Sequence, residues 1–178
     1  MTAPTFRDSA RASMTVLERL STDLVGRIER ETSEAERRRK PSPNAWSLAQ
    51  VTQHLALVSN GMLRTARPRK RFLYLGDARL ALLTLVLRSP LRIPAPAAVI
   101  IPAPDVTWSD ARGNIVASVE RWKNFVESEA FDATRFRHPI VGALSPAQTV
   151  QFLVEHFGHH LRQIDALFAG LGARDSRN

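Results

Sequence analysis

At 178 residues, 44% hydrophobic and 24% charged, the chain has enough apolar material for a sizeable core and is expected to form one globular domain over 1–178. It contains no cysteine, which excludes disulfides, thiolate metal sites and a cysteine nucleophile. Its 25 basic against 17 acidic residues give a formal charge of +8, but the basic residues are scattered, so a nucleic-acid partner is not expected.

The first residues, "MTAPTFRDSARASM", lack the apolar core of a secretory signal, so a cytoplasmic location is expected. From about Thr5 to Arg38, Met14, Leu17, Leu20, Leu24 and Ile28 recur at spacings of three and four and predict an amphipathic helix. "KPSPN" at 40–44 ends it, because two prolines cannot continue a helix and push their predecessors into extended backbone. The next helix starts at Ser47, with Gln50 as capping-box partner, and turns Leu48, Val51, Leu55, Val58 and Met62 to one side.

Residues 66–105 read as an insertion or lid. The stretch 77–87 could be a helix, and "RSPLRIPAPAAVIIPAP" is an extended, proline-punctuated excursion. "LALLTLVL" at 80–87 is too short to span a bilayer, and the prolines that follow break any longer apolar run, so no membrane insertion is expected. Helical periodicity resumes near Thr107 with Ile115, Val119, Trp122 and Val126 and stops around Ala130. "FDATRFRHPIVGAL" reads as a linker. The last helix opens with Ser145 as N-cap, Pro146 at its first position and Gln148 closing a capping box, and runs to about Ala169, where Gly170 and Gly172 supply stops. Trp46, Trp108 and Trp122 each fall at a helix start or on an apolar face and are expected in the core or an interface. The predicted fold is all-α: an antiparallel four-helix bundle with a proline-rich insertion between the second and third main helices.

Three of the five histidines lie in "EHFGHHLRQ", 155–163. On a helix of about 100° per residue, His156 and His160 are about 40° apart and one turn apart, so they can grip one ion from the same side, whereas His159 lies about 60° the other way. Two helical histidines also commonly just pack or face water. A third ligand must come from another element: His54, His138 or a carboxylate. His54 lies beside the apolar stripe of the second helix, where an imidazole needs partners for its nitrogens. Glu155 points about 100° away from His156, and no acidic residue has the spacing of a general base.

"PSPNAWSLAQVTQHLALV" and "HPIVGALSPAQTVQFLVEHFGHHLRQI" resemble, in the right order, the tryptophan-serine helix start with its helical histidine and the last histidine-bearing helix of the DinB/YfiT-like family. The His-Pro, Gly and "HHLRQ" details are similar to an uncharacterised DinB-like subgroup. The resemblance implies a four-helix bundle in which His54, His156 and His160 bind a divalent metal. It leaves His159, Gln163 and His138 as supporting or pocket residues: Gln163 to orient a ligand or water, or simply to sit on the helix surface, and His138 to close the pocket mouth or cap its loop. Three neutral imidazoles suit zinc, nickel or iron, and they leave coordination positions open for acidifying a water or polarising a substrate.

Characterised relatives of this fold include thiol-dependent transferases and isomerases, so a metal-dependent enzyme acting on small molecules with a low-molecular-weight thiol is the leading expectation. A non-catalytic metal- or ligand-binding stress-response bundle is the second. A dimerising interaction protein that uses "RFLYLGDARLALLTLVLRSPL" as its face is the third. Residues 66–104 match no family motif, which leaves the substrate open.

Overall fold

The computed structural model describes residues 5–68, 76–88 and 100–175. In chain order these form α1 (Phe6–Glu31), α2 (Glu34–Arg38), α3 (Leu48–Arg64), β1 (Arg67–Pro68), α4 (Gly76–Arg88), α5 (Trp108–Glu127), β2 (Thr134–His138), β3 (Gly142–Leu144) and α6 (Pro146–Asp175). The four long helices α1, α3, α5 and α6 make a four-helix bundle, with α1 packed on α5 and α6, and α3 packed on α5 and α6. The predicted apolar stripes meet, with Leu17, Leu24, Ile28, Leu55, Ile115 and Trp122 essentially inaccessible, and α6 adds Leu153 and Ile164 to the same core. Helix α4 falls between the second and third long helices and lies on α6. No described helix is long and apolar enough to cross a membrane.

Three sequence expectations change. The helix expected over about 5–38 is two helices, because Thr32 adopts extended backbone (φ −139°, ψ 146°) and Ser33 starts a new helix with Glu36 as its capping-box partner. Ser33 N–H donates to Glu36 Oε2 at 2.7 Å, and Glu36 N–H donates to Ser33 Oγ at 3.4 Å. Reciprocal satisfaction of two orphan donors outweighs the continuing helical period.

The stretch taken as a linker is a β-hairpin, so the all-α expectation gains a small three-stranded antiparallel sheet in the order β1-β2-β3. Thr134, Phe136 and His138 alternate inward while Arg135 and Arg137 lie further out, which is the period of a half-buried strand. Gly142 opens β3 at φ 81°, a left-handed conformation that side chains disfavour. The last helix runs through Gly170 and Gly172 to Asp175 instead of stopping near Ala169. Helix α4 confirms the helical reading of 77–87, while most of the proline-punctuated excursion, 89–99, and the start of the suggested partner face, 71–75, lie outside the described residues.

Ion pairs tie the bundle together at its surface. Arg11 meets Glu127 at 2.6 Å and Lys123 meets Glu18 at 2.8 Å, both joining α1 to α5, and Arg27 meets Asp165, joining α1 to α6.

Candidate metal centre

Two capping boxes place the histidine-bearing helices. At α3, Ser47 N–H donates to Gln50 Oε1 at 3.1 Å and Gln50 N–H donates to Ser47 Oγ at 3.3 Å. At α6, Ser145 N–H donates to Gln148 Oε1 at 2.8 Å and Gln148 N–H donates to Ser145 Oγ at 3.2 Å. Two glutamines on α3 then clamp the chain arriving from the insertion: Gln50 Nε2 donates to Ala103 O at 3.2 Å, and Gln53 Oε1 accepts from Ala103 N–H at 2.7 Å. With both backbone groups of Ala103 held, the carbonyl of Ile100 lies 2.7 Å from His54 Nδ1.

Helices α3 and α6 bring His54, His156 and His160 together, each offering one ring nitrogen, all within 4.8 Å of one another. His54 Nε2 and His156 Nε2 are 3.3 Å apart, and the ring centroids of the trio are separated by 4.7 to 5.3 Å. Among the described residues this is the one group of three or more histidines and carboxylates that could hold a metal ion. Of the third-ligand candidates that the sequence left open, it is therefore His54 that meets the helical pair. Glu155 turns away, with both carboxylate oxygens on the Arg88 guanidinium at 2.5 and 2.9 Å.

The environment favours neutral rings. His54 and His160 are buried and His156 is half-buried. Desolvation depresses the pKa of all three, bringing His160 to about 3 and holding His156 well below its usual value, with mutual repulsion among the rings adding to it. Neutral imidazole is the form that ligates a metal.

Because the Ile100 carbonyl can only accept, His54 carries its proton on Nδ1, and its Nε2 lone pair faces His156 Nε2. Either a single proton or a cation must then reconcile these two nitrogens. The donor set fits a borderline metal such as zinc, nickel or iron, and three protein nitrogens leave positions open. Trp46 lies tilted beside His54 with ring centroids 4.8 Å apart, and Phe152 lies 5.5 Å from His156, giving the centre apolar neighbours.

The supporting residues divide. His159 Nδ1 lies 2.7 Å from the carbonyl of Leu87 at the end of α4, and Gln163 joins His159 Nε2 to His160 Nδ1 with both distances 2.9 Å. Gln163 is thus tied to two imidazoles and is not a free surface glutamine. His138 does not join the trio. Its Nδ1 accepts from the backbone N–H groups of Ile140 and Val141 at 3.2 and 3.3 Å, so it caps the β2–β3 turn, and its ring lies 4.6 Å from Phe152. Burial lowers its pKa to about 4. Trp108 and Trp122 are core residues as expected, whereas Trp46 is half-buried against His54. The sequence reading missed Gln53, Ala103 and Ile100. The signal was Gln53, one turn after the capping-box residue Gln50 on α3.

Residues 8–164 match the model of the DinB superfamily. Among solved structures, the chain is similar to YfiT from Bacillus subtilis, described as a probable metal-dependent hydrolase with an unusual four-helix bundle topology, at 15% identity and a TM-score of 0.57 over 97% of this chain and 92% of that one. It is also similar to TT2238, a four-helix bundle protein, at 20% identity and a TM-score of 0.47 over 88% of this chain and 98% of that one. No curated protein matches the chain.

Proposed function

The chain belongs to the DinB superfamily, and from that premise we propose that it is a divalent-metal-dependent enzyme acting on small molecules, with His54, His156 and His160 as its metal ligands. The observation that carries this reading is the convergence of three neutral, largely buried imidazoles whose nitrogens lie within 4.8 Å of one another. Three imidazoles whose ring nitrogens converge, two of them 3.3 Å apart, set lone pairs against one another that a cation would satisfy together. A bound zinc, nickel or iron ion would supply Lewis acidity and open coordination positions.

The protein's own groups then have defined tasks. His54 and His160 present Nε2 because their Nδ1 atoms are engaged by Ile100 and Gln163. Trp46 and Phe152 set apolar rings beside His54 and His156.

The reaction class we infer is thiol-dependent transfer or isomerisation of a small electrophile with a low-molecular-weight thiol. It is favoured by the lack, among the described residues, of a carboxylate in the three-histidine group, since Glu155 is committed to Arg88. Hydrolysis is the second reading, favoured by the likeness to YfiT. We also propose a homodimer, supported by the exposed Leu82 and Leu85 side chains of α4.

Elemental analysis of untagged protein tests the centre. About one metal per chain is expected in wild type and little in His54→Ala or His156→Ala. Metal-loaded protein is then screened with thiol and electrophile pairs and with hydrolysable esters and amides. Absence of metal after reconstitution with zinc, nickel and iron would sink the enzyme reading. Bound metal without turnover in either screen would favour a non-catalytic metal-holding bundle.

A further inference from the structure

We propose that Leu87, His159, Gln163 and His160 form a directional hydrogen-bond chain that makes Gln163 the positioning residue for His160, fixing its proton on Nδ1 so that Nε2 faces the centre bare. The purpose of the chain rests on the metal-ligand reading above, but its geometry does not.

The direction starts from the one member whose role has no alternative. The carbonyl of Leu87, in the last turn of α4, can only accept, so His159 Nδ1, 2.7 Å away, carries a proton. That carbonyl is one of the four that a helix end leaves without an intrahelical partner, and Arg162 Nη2 also donates to it at 2.6 Å. With that proton on Nδ1, the contact of His159 Nε2 with the amide nitrogen of Gln163 at 2.9 Å is one in which Gln163 donates to the ring. The amide is thereby oriented. Its oxygen faces His160 Nδ1 at 2.9 Å and accepts, which puts the His160 proton on Nδ1 and leaves Nε2 free.

Each link decides the next, from the end of α4 to a ring of the trio. The sense of the Gln163 amide, ordinarily ambiguous between oxygen and nitrogen, follows from the carbonyl at the start. His54 reaches the same state in one step through Ile100 O. Without its acceptor, His160 is free to carry its proton on Nε2 and block the lone pair that a metal needs.

The test is made first on metal-free full-length protein with 15N-labelled imidazoles, reading tautomers from long-range proton–nitrogen correlations. His159 and His160 are expected as Nδ1–H. In Gln163→Leu, His160 should shift to Nε2–H or an exchanging mixture, and cobalt(II) affinity from absorbance titration should fall about 10- to 100-fold. Gln163→Glu keeps an acceptor for His160 and should keep both its tautomer and most of the affinity, a rescue that a purely space-filling role would not give. Nε2–H at His160 in wild type, or Nδ1–H persisting in Gln163→Leu, would overturn the chain. Predicted tautomers in a wild type that binds no cobalt would uphold the chain and overturn the metal reading. If Gln163→Leu does not fold, wild type and Gln163→Glu still decide.

Discussion

Beside α5 and the hairpin, the rings of Trp122, Phe125, Phe131 and Phe136 pack with centroids 5.2 to 5.8 Å apart, and between α3 and α6 those of His54, His156 and His160 pack at 4.7 to 5.3 Å. The spacing is similar, but the chemistry of burial is opposite. In the first group one polar atom needs a partner and has it, Trp122 Nε1–H donating to Ser59 O at 3.0 Å, so the rings contribute dispersion and desolvated area without a polar debt. In the second, each ring brings two nitrogens, and the outer ones of His54 and His160 are engaged while inner ones face each other. Packing alone selects the first arrangement and disfavours the second. On packing grounds the histidine group is therefore a cost in stability, and the aromatic group part of what offsets it.

That contrast breaks most readily at Trp122. Trp122→Ala should cost about 3–5 kcal/mol in urea unfolding while leaving metal stoichiometry in the folded fraction unchanged, and loss of metal with that variant would merge the two regions into one.

Acid comes next. Burial holds the folded pKa of His138 at about 4 against 6.5, so its contribution is present above pH 6.5 and is lost as the pH falls from 6.5 towards 4, where the unfolded chain takes up a proton that the folded state refuses. The loss from this group should reach about 2–3 kcal/mol near pH 4.5. His138→Asn, whose side-chain oxygen can still accept from Ile140 and Val141, should show a correspondingly flatter stability profile over that window.

Metal should stabilise wild type by about 2.7 kcal/mol when free metal is one hundred times its dissociation constant, and chelation should remove this. His156→Leu should show no metal-dependent shift, and in metal-free protein should lie within about 1 kcal/mol of wild type, since it exchanges a poorly satisfied imidazole for an apolar group. A much larger loss in the metal-free variant would mean that the histidines serve packing after all.

The smallest effect is at the seam. Ser59 Oγ is the buried side-chain polar atom left without a partner among the described residues, and Ser59→Ala should be neutral or stabilising by up to about 1 kcal/mol in thermal unfolding.

The long helices were legible because their apolar residues recur over four or more turns, and the histidine trio was legible because His156 and His160 share a helical face and His54 lies in a matching motif. The break at Thr32–Ser33 was written in the sequence as Ser33 and Glu36, but a strong period on α1 masked it. The hairpin was obscured by strands of five and three residues, too short for alternation to stand out. Gly170 and Gly172 misled because a glycine permits a helix stop without imposing one. Gln163 and His159 were legible as supporting residues, but the carbonyls that orient the site were not: Ile100 is 46 residues from His54 and Leu87 is 72 from His159, and both act through a backbone group that any residue possesses.

The contact between Trp46 and His54 gives the molecule an optical use. An indole 4.8 Å from an imidazole of the trio is close enough to feel whatever that ring binds, whereas Trp122 sits among phenylalanines and Trp108 beside Arg37 and Glu29. Cobalt(II) or nickel(II) arriving at the centre should dim one component of the intrinsic emission, and Trp46→Phe should abolish that response while the other two indoles go on shining. The site thus carries its own lamp, and occupancy can be followed in real time without a label.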